Sequence, residues 1–324
     1  LEPETVAYIL THSDSRLVIC DSALAPLLRA CGQTQGRLLG MLGAVGSDTE
    51  VQSSLDAMLQ NIVTSSAIEG EQLNVGSVRS SLARRLGLSE EGRTTSRSEG
   101  LAELLLDATL AHQQPLDEQR LFTWHRWLFP TDDHLLARPL HIGALRGEEP
   151  MQVVSGRIDR PTVHFEAPPR AGLEAQLADF LAWFESSRSD ASLDPFLRAG
   201  IAHFWFVTLH PFDDGNGRIS RAVGDMALAR AEGTAQRFYS LSAQIQRERK
   251  QYYDQLETTQ RGTLDVTPWL GWFLAGVNAE AVRFQHEVFD AGSRLDIKPR
   301  LRLPASGLCT EQPVYKRAGR SIAR

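Results

Sequence analysis

The densest chemistry in this 324-residue chain lies in one string, His210-Pro211-Phe212-Asp213-Asp214-Gly215-Asn216-Gly217-Arg218-Ile219-Ser220-Arg221. Leu197, Ile201, Phe204 and Thr208 precede it, and Ile219, Val223, Met226 and Ala227 follow; such spacing lays one apolar stripe along a helix on each side. Asp-Gly and Asn-Gly between strands would mark a hairpin turn, but between helices they mark a tight polar loop. Its glycines let the backbone approach a ligand, and the first amides of the second helix, at Gly215 to Arg218, have no partners within that helix. The string therefore predicts an anion site. Free N–H groups and the helix dipole favour phosphate there, while Arg218 and Arg221 add planar guanidinium forks. Asp214, beside such phosphates, suits Mg²⁺, which takes one or two protein oxygens plus phosphate and water. His210 ends the first helix with an acidity suited to a general base. Base, hard metal ligand, anion cradle and two guanidiniums are what phosphoryl or nucleotidyl transfer needs.

These residues resemble the Fic motif, HxFx(D/E)GNGRxxR, at every specified position. The resemblance extends over roughly residues 1–290. It implies a protein adenylyltransferase that moves AMP from Mg-ATP to a hydroxyl side chain of a target protein, or of the chain itself. In that reading His210 deprotonates the attacking hydroxyl and Asp214 holds Mg²⁺ on the α and β phosphates. Asn216 contacts phosphate, Gly215 and Gly217 supply backbone donors, Arg218 steadies the β-phosphate side and Arg221 holds the γ-phosphate. Phe212 is a buried anchor for the loop.

Far upstream, Ser65-Ser66-Ala67-Ile68-Glu69-Gly70 reads by itself as a helix end with Gly70 just past the cap. Beside the Fic-like string it also resembles the family's inhibitory sequence, (S/T)xxxE(G/N), in the version that precedes the core. The implied contact is Glu69 on Arg221 in the place of the γ-phosphate, because carboxylate and phosphate compete for one guanidinium fork. Ser65, a turn earlier, would hold that helix or the Glu69 side chain in place. ATP would then be excluded or misaligned, and in-line transfer depends on alignment. Alternatives stay open: removal of AMP with Glu69 orienting a water, a nucleotide-sensing regulatory module without transfer, or another donor such as CDP-choline.

The elements that must position these residues are mostly helical. Apolar periodicity predicts helices over 18–45, 51–68, 76–87, 99–113, 117–128, 172–187, 193–210, 216–232, 246–260 and 266–290. The exception is about 139–169, where Met151 to Val154 and Thr162 to Phe165 alternate around Ser155–Asp159, a β-hairpin pattern. An isolated hairpin is marginal in water and must lean on the core or act as a flap. By resemblance it is a target-positioning flap, whose edge at Met151, Gln152, Val153 and Val154 would pair with an extended target segment. We divide the chain into an N-terminal helical domain (1–90) carrying Ser65 to Gly70, a Fic-type helical bundle core (91–292) with the hairpin, and an irregular basic tail (293–324). Glu90 to Ser98 is the linker candidate.

Composition bounds the rest. With 34 Lys plus Arg against 40 Asp plus Glu, a net charge of -6 argues against a dedicated nucleic-acid binder. No apolar run reaches the roughly 18 residues that cross a bilayer. Three cysteines, Cys20, Cys31 and Cys309, lack CxxC spacing and fit a reducing cytoplasm. The opening Leu-Glu-Pro-Glu carries no leader pattern, and we read no targeting signal into it. The resemblance also implies a homodimer, and an adenine pocket near Tyr252 and Tyr253 with Arg247 to Lys250. His203 reads as a packed histidine rather than a zinc ligand, Trp269, Trp272 and Phe273 as core, and His164 as exposed.

Overall fold

The computed structural model describes residues 5–9, 16–42, 47–88, 92–130, 140–157, 160–235, 238–262 and 265–294. Nearly all of the basic tail expected at 293–324, and the hairpin tip at 158–159, lie outside them.

Two helices, α7 (Pro195–Leu209) and α8 (Asn216–Glu232), form the central hairpin around which the others pack. Each is buried on almost every face, so that in α8 even polar side chains such as Arg218, Ser220, Arg221 and Asp225 lie inside. Asp194 starts α7 by accepting the Phe196 N–H at 2.8 Å, with Pro195 in the first turn where its missing N–H leaves no bond unmade. Gly233, at φ 66°, ends α8 in the left-handed conformation.

Around this pair lie α4 (Ser96–Leu110), α5 (Glu118–Leu128) and α6 (Leu173–Ser186). Next to them come α2 (Ser47–Ile68) and α3 (Val75–Arg85), then α9 (Leu241–Arg247), α10 (Arg249–Arg261) and α11 (Thr267–Arg294). The first helix, α1 (Asp21–Leu42), runs along α11. Thr34 Oγ1 reaches Asn278 Oδ1 at 2.7 Å, and Gln285 donates to the Thr34 carbonyl at 2.6 Å. One contiguous set of buried apolar side chains runs from Leu24 to Phe284. The N-terminal helices thus share a core with the rest instead of forming a separate lobe. Asn61 of α2 donates to Asp225 of α8 at 2.6 Å, which fixes α2 against the central hairpin.

Several elements depart from the periodicity. The helix expected from residue 18 begins at Asp21, because Arg16–Cys20 (β2) pairs antiparallel with Thr5–Ile9 (β1). A short apolar run such as Leu17 to Cys20 fits helix and strand equally, and its β-branched Val18 and Ile19 favour the strand. The helix expected over 246–260 is two, α9 and α10, broken at Glu248; α9 is buried all round and shows no stripe. The second hairpin joins β3 (Gln152–Arg157) to β4 (Arg160–Glu166), so β3 extends into the Ser155–Asp159 stretch read as its loop and β4 starts two residues before Thr162. Ser98, expected in a linker, is buried in the first turn of α4, where Thr95 and Ser98 form a reciprocal cap.

Gly100 marks the closest approach of two elements. A Cβ there would lie 2.0 Å from the carbonyl oxygen of Trp127 in α5, a backbone atom that cannot turn aside. Gly100→Ala should therefore lower stability by roughly 1–3 kcal/mol, the usual range for overpacking, read as a drop in the denaturant midpoint. An unchanged midpoint would show that α4 and α5 have room to separate.

Candidate active site

The loop between α7 and α8 is built to hold one shape. His210 adopts φ 50°, ψ 55°, the sole positive φ of a non-glycine residue among the described residues. Such conformations persist where surroundings over-determine them. Its Nδ1 lies 3.1 Å from the Val207 carbonyl, which accepts only, so the neutral ring keeps its proton on Nδ1 and its lone pair on Nε2. Burial pushes the ring's pKa below the ordinary histidine value, which favours that neutral form, although the Val207 contact pulls the other way.

Phe212 is fully buried, stacked on His125 at 4.3 Å and edge-on to Phe122 at 6.2 Å. Asn216 spends its side chain on the loop: Oδ1 accepts the Phe212 N–H at 2.9 Å and Nδ2 donates to the Phe212 carbonyl at 2.7 Å. The Asn216 amide, expected to contact phosphate, is thus engaged with the loop's own backbone in this structure. Gly215, at φ 82°, starts α8 where a Cβ would meet Leu128 and Phe129 at 3.0 Å.

Three residues that the sequence reading did not single out strap this loop from outside. His125 of α5 is fully buried; its Nδ1 accepts the Gly143 N–H at 2.9 Å, so its Nε2–H donates to the Asp214 carbonyl at 3.2 Å. Arg146 donates through Nε to the His210 carbonyl at 3.0 Å and through its other arm to Pro168, while its N–H bonds the Pro211 carbonyl at 2.9 Å. Asp213 accepts from the His141 N–H and ring at 2.9 and 2.7 Å. The stretch from 140 to 147, read in the sequence as part of the flap, is thus a fixed brace. One sequence signal existed: His125 lies on the apolar face defined by Leu121, Trp124 and Leu128.

The two arginines are occupied by carboxylates. Arg221 is almost completely buried, with 2% of its side chain exposed against 32% for Glu69, whose Oε1 accepts from Nη2 at 2.7 Å. The same guanidinium donates to the Ser65 Oγ and carbonyl, each at 2.9 Å. Ser65 therefore grips the arginine and not, as the sequence suggested, Glu69. Gly217 opens the space: a Cβ there would lie 2.2 Å from Glu69 Oε1. Burial would raise the Glu69 carboxyl, but the charge and hydrogen bond of Arg221, with Arg218 and Arg249 nearby, hold it below the usual carboxylate range. Arg218 bonds Glu71, a residue the sequence reading did not single out, at 2.8 Å. Asp214 stays exposed at 57%, its Oδ1 3.6 Å from Arg218 Nη2.

The α2 helix reaches this site through its own ending. Gly70 takes φ 80° and its N–H bonds the Ala67 carbonyl at 3.0 Å, while the Glu71 N–H bonds the Ser66 carbonyl at 3.0 Å. That is a Schellman closure, so helix end and arginine contact are one feature.

The hairpin reaches the site from the other side. Phe165 lies 6.5 Å from the His210 ring, and His164, expected exposed, is half-buried and donates to Glu257 of α10 at 2.7 Å. Met151 and Val153 are half-buried and Gln152 exposed, with a bulge between Val153 and Val154. Among the described residues β3 pairs with β4 alone, leaving its other edge open. Tyr252 is core: its hydroxyl is 3.1 Å from His203 Nε2, behind Arg221. Tyr253 is 37% exposed, with Arg249 over its ring.

A histidine in the left-handed conformation at the end of one helix, free amides at the start of the next and two buried guanidiniums behind them are thus brought together around one loop. Residues 115–228 match the Fic/DOC family, and residues 12–88 match a domain of unknown function (DUF4172). Over residues 115–228 the chain is thus similar to the Fic/DOC family. It is 28% identical over 219 residues to the protein adenylyltransferase Fic of Drosophila grimshawi, covering 66% of this chain and 40% of that protein. The counterpart in Drosophila mojavensis is 29% identical, with 66% and 39% covered. The chain thus spans about two-fifths of the length of these curated relatives. The fold matches a Fic family protein from Desulfovibrio desulfuricans G20 at a TM-score of 0.59 and 22% identity, over 83% of this chain and 75% of that one. It also matches Fic-1 from C. elegans at 0.57 and 20%, over 84% and 74%.

The brace makes a pH prediction. Burial pushes His125 down from 6.5 to about 4, against the pull of the Asp214 carbonyl. Between those values the unfolded chain binds a proton that the folded ring refuses. Its stabilising contribution is therefore complete above about pH 6.5 and is lost as the pH falls towards 4. The whole loss for this group is on the order of 3 kcal/mol at most. Denaturant unfolding across that range should show a shallower slope for His125→Gln than for wild type. Equal slopes would mean that the ring is not held neutral.

Proposed function

We propose that this protein transfers AMP from Mg-ATP to a hydroxyl side chain of a target protein, and that it rests with its own site closed by Glu69. The observation that carries the proposal is the Glu69 carboxylate on Arg221, above Gly217 at the start of α8. An anion already occupies the place where the sequence expects a phosphate. The naming of the Drosophila relatives as protein adenylyltransferases supports the reaction class.

His210 Nε2, its lone pair directed by the Val207 contact, takes the proton of the target hydroxyl. The hydroxyl oxygen bonds the α-phosphorus, the bond to the bridging oxygen breaks, and pyrophosphate leaves. The amides at the start of α8 and the two arginines bind the phosphate chain. Mg²⁺ would be held by Asp214, neutralising phosphate charge. Among the described residues no three His, Cys, Asp or Glu side chains form a metal cluster. A single exposed carboxylate beside the anion cradle nevertheless fits an ion that takes its other oxygens from nucleotide and water. The open edge of β3 would align an extended target segment by backbone pairing. In this account residues 1–90 regulate and 91–292 catalyse, although they share one core.

Glu69→Gly, incubated with labelled Mg-ATP and a cell lysate, should label a protein band or the enzyme itself at least about tenfold faster than wild type, the loss of one charge-assisted contact being worth that much. His210→Ala in the same background should abolish the label. Failure of the Glu69→Gly protein to label anything, with His210→Ala indistinguishable from it, would overturn the reaction assignment.

A further inference from the structure

The second arginine of the site is also held by a carboxylate, from a residue outside both motifs. Glu71 Oε2 accepts from Arg218 Nη1 at 2.8 Å. The same carboxylate takes a two-armed grip from Arg97 in the first turn of α4: Nε to Oε1 and Nη2 to Oε2, each at 2.6 Å. Oε2 is thus shared by two guanidiniums, and both of these lie over the ring of Phe129, at 5.5 Å for Arg97 and 5.3 Å for Arg218. Arg218 is 7% exposed and Glu71 26%. The Nε of Arg218 is buried without a hydrogen-bond partner among the described residues, as is Nη1 of Arg221. Each arginine therefore retains donor capacity that its carboxylate does not fill.

The Schellman turn explains how one chain segment reaches both. Glu69 and Glu71 flank Gly70, whose left-handed conformation turns the chain back over the start of α8. Arg218 and Arg221 are three apart on α8 and so share a face. Two carboxylates two apart across the turn thereby meet two guanidiniums one helical turn apart.

We infer that Glu71 is a second gate on the anion site, occupying Arg218 as Glu69 occupies Arg221, with Arg97 retaining Glu71 when an anion takes Arg218. The inference rests on the nucleotide reading only for the identity of that anion. The two gates differ in how they open. Releasing Arg221 leaves Glu69 without its close partner, whereas releasing Arg218 leaves Glu71 still bonded by both arms of Arg97. A ligand carrying one phosphate displaces one carboxylate; a ligand with adjacent phosphates is needed to displace both. Glu71 is therefore a specificity-determining residue for di- and triphosphates as well as a brake.

The competing account makes Glu71 a brace that orients Arg218 for phosphate, and the two differ in sign. Titration calorimetry of the full chain with Mg-ATP and with inorganic pyrophosphate tests them. For Glu71→Gln the gate predicts both ligands binding about tenfold tighter than to wild type, the worth of one charge-assisted contact. Glu69→Gln/Glu71→Gln should bind tighter than either single variant. Arg97→Met, which leaves Glu71 with Arg218 alone, should bind more weakly, and adding Glu71→Gln should restore affinity. Thermal melts confirm that each variant is folded. Affinity unchanged or weakened in Glu71→Gln, or no rescue of Arg97→Met, overturns the inference. Tighter binding with no transfer by any variant would keep this gate and remove the transferase reading; transfer by Glu69→Gly with affinity unchanged in Glu71→Gln would do the reverse.

Discussion

Arg221 is a guanidinium with almost no contact with water, and that single constraint organises the site. A buried cation without a counter-charge is strongly disfavoured, so this position requires an anion in every state of the molecule. In this structure Glu69 supplies it, with Ser65 filling further donors. Burial works against the charge, and Glu69 with Tyr252 and Tyr253 keeps Arg221 above its ordinary value all the same. The helix that brings Glu69 is the one that completes the arginine's environment. A polyphosphate is the natural alternative partner because it satisfies the same fork.

The remainder of the fold serves the loop that faces this arginine. His210 is held in a left-handed conformation by contacts from three directions: Arg146 on its carbonyl, the α7 turn on its ring and Phe212 packed beneath the following residues. Preorganisation of this kind fixes the His210 ring and the first amides of α8 before any ligand arrives. The brace at 140–147 and the hairpin at 152–166 are neighbours in sequence but differ in role, one tied to the loop by Asp213 and Arg146, the other leaning on α10 through His164.

The catalytic loop was legible because its chemistry is contiguous. From His210 to Arg221 every group acts within one helix end and the next helix start, and local rules for glycine, capping and charge apply directly. The Ser65 to Gly70 pattern was legible for the same reason: its plain reading as a helix end holds, and the Glu69 contact with Arg221 that the inhibitory reading requires is present. What could not be read lies where the fold joins distant segments. Glu71 is 147 positions from the arginine it holds, and His125 is 89 from Asp214. No spacing rule connects such pairs. Asn216 shows the opposite failure: its type suited phosphate, but a tight loop uses side-chain amides to satisfy its own backbone. The strand at Arg16–Cys20 and the buried α9 were missed because periodicity is silent for elements that are short or covered on all faces.

The claim on which the account turns is that Glu69 and Arg221 interact strongly while nothing else is bound. A double-mutant cycle on the unliganded protein measures this directly, with Glu69→Gln, Arg221→Met and the combined variant compared by denaturant unfolding. The account predicts a coupling free energy of about 1–3 kcal/mol in favour of the native pair. Additive effects, with coupling within about 0.3 kcal/mol of zero, would contradict it and leave the contact as proximity without function.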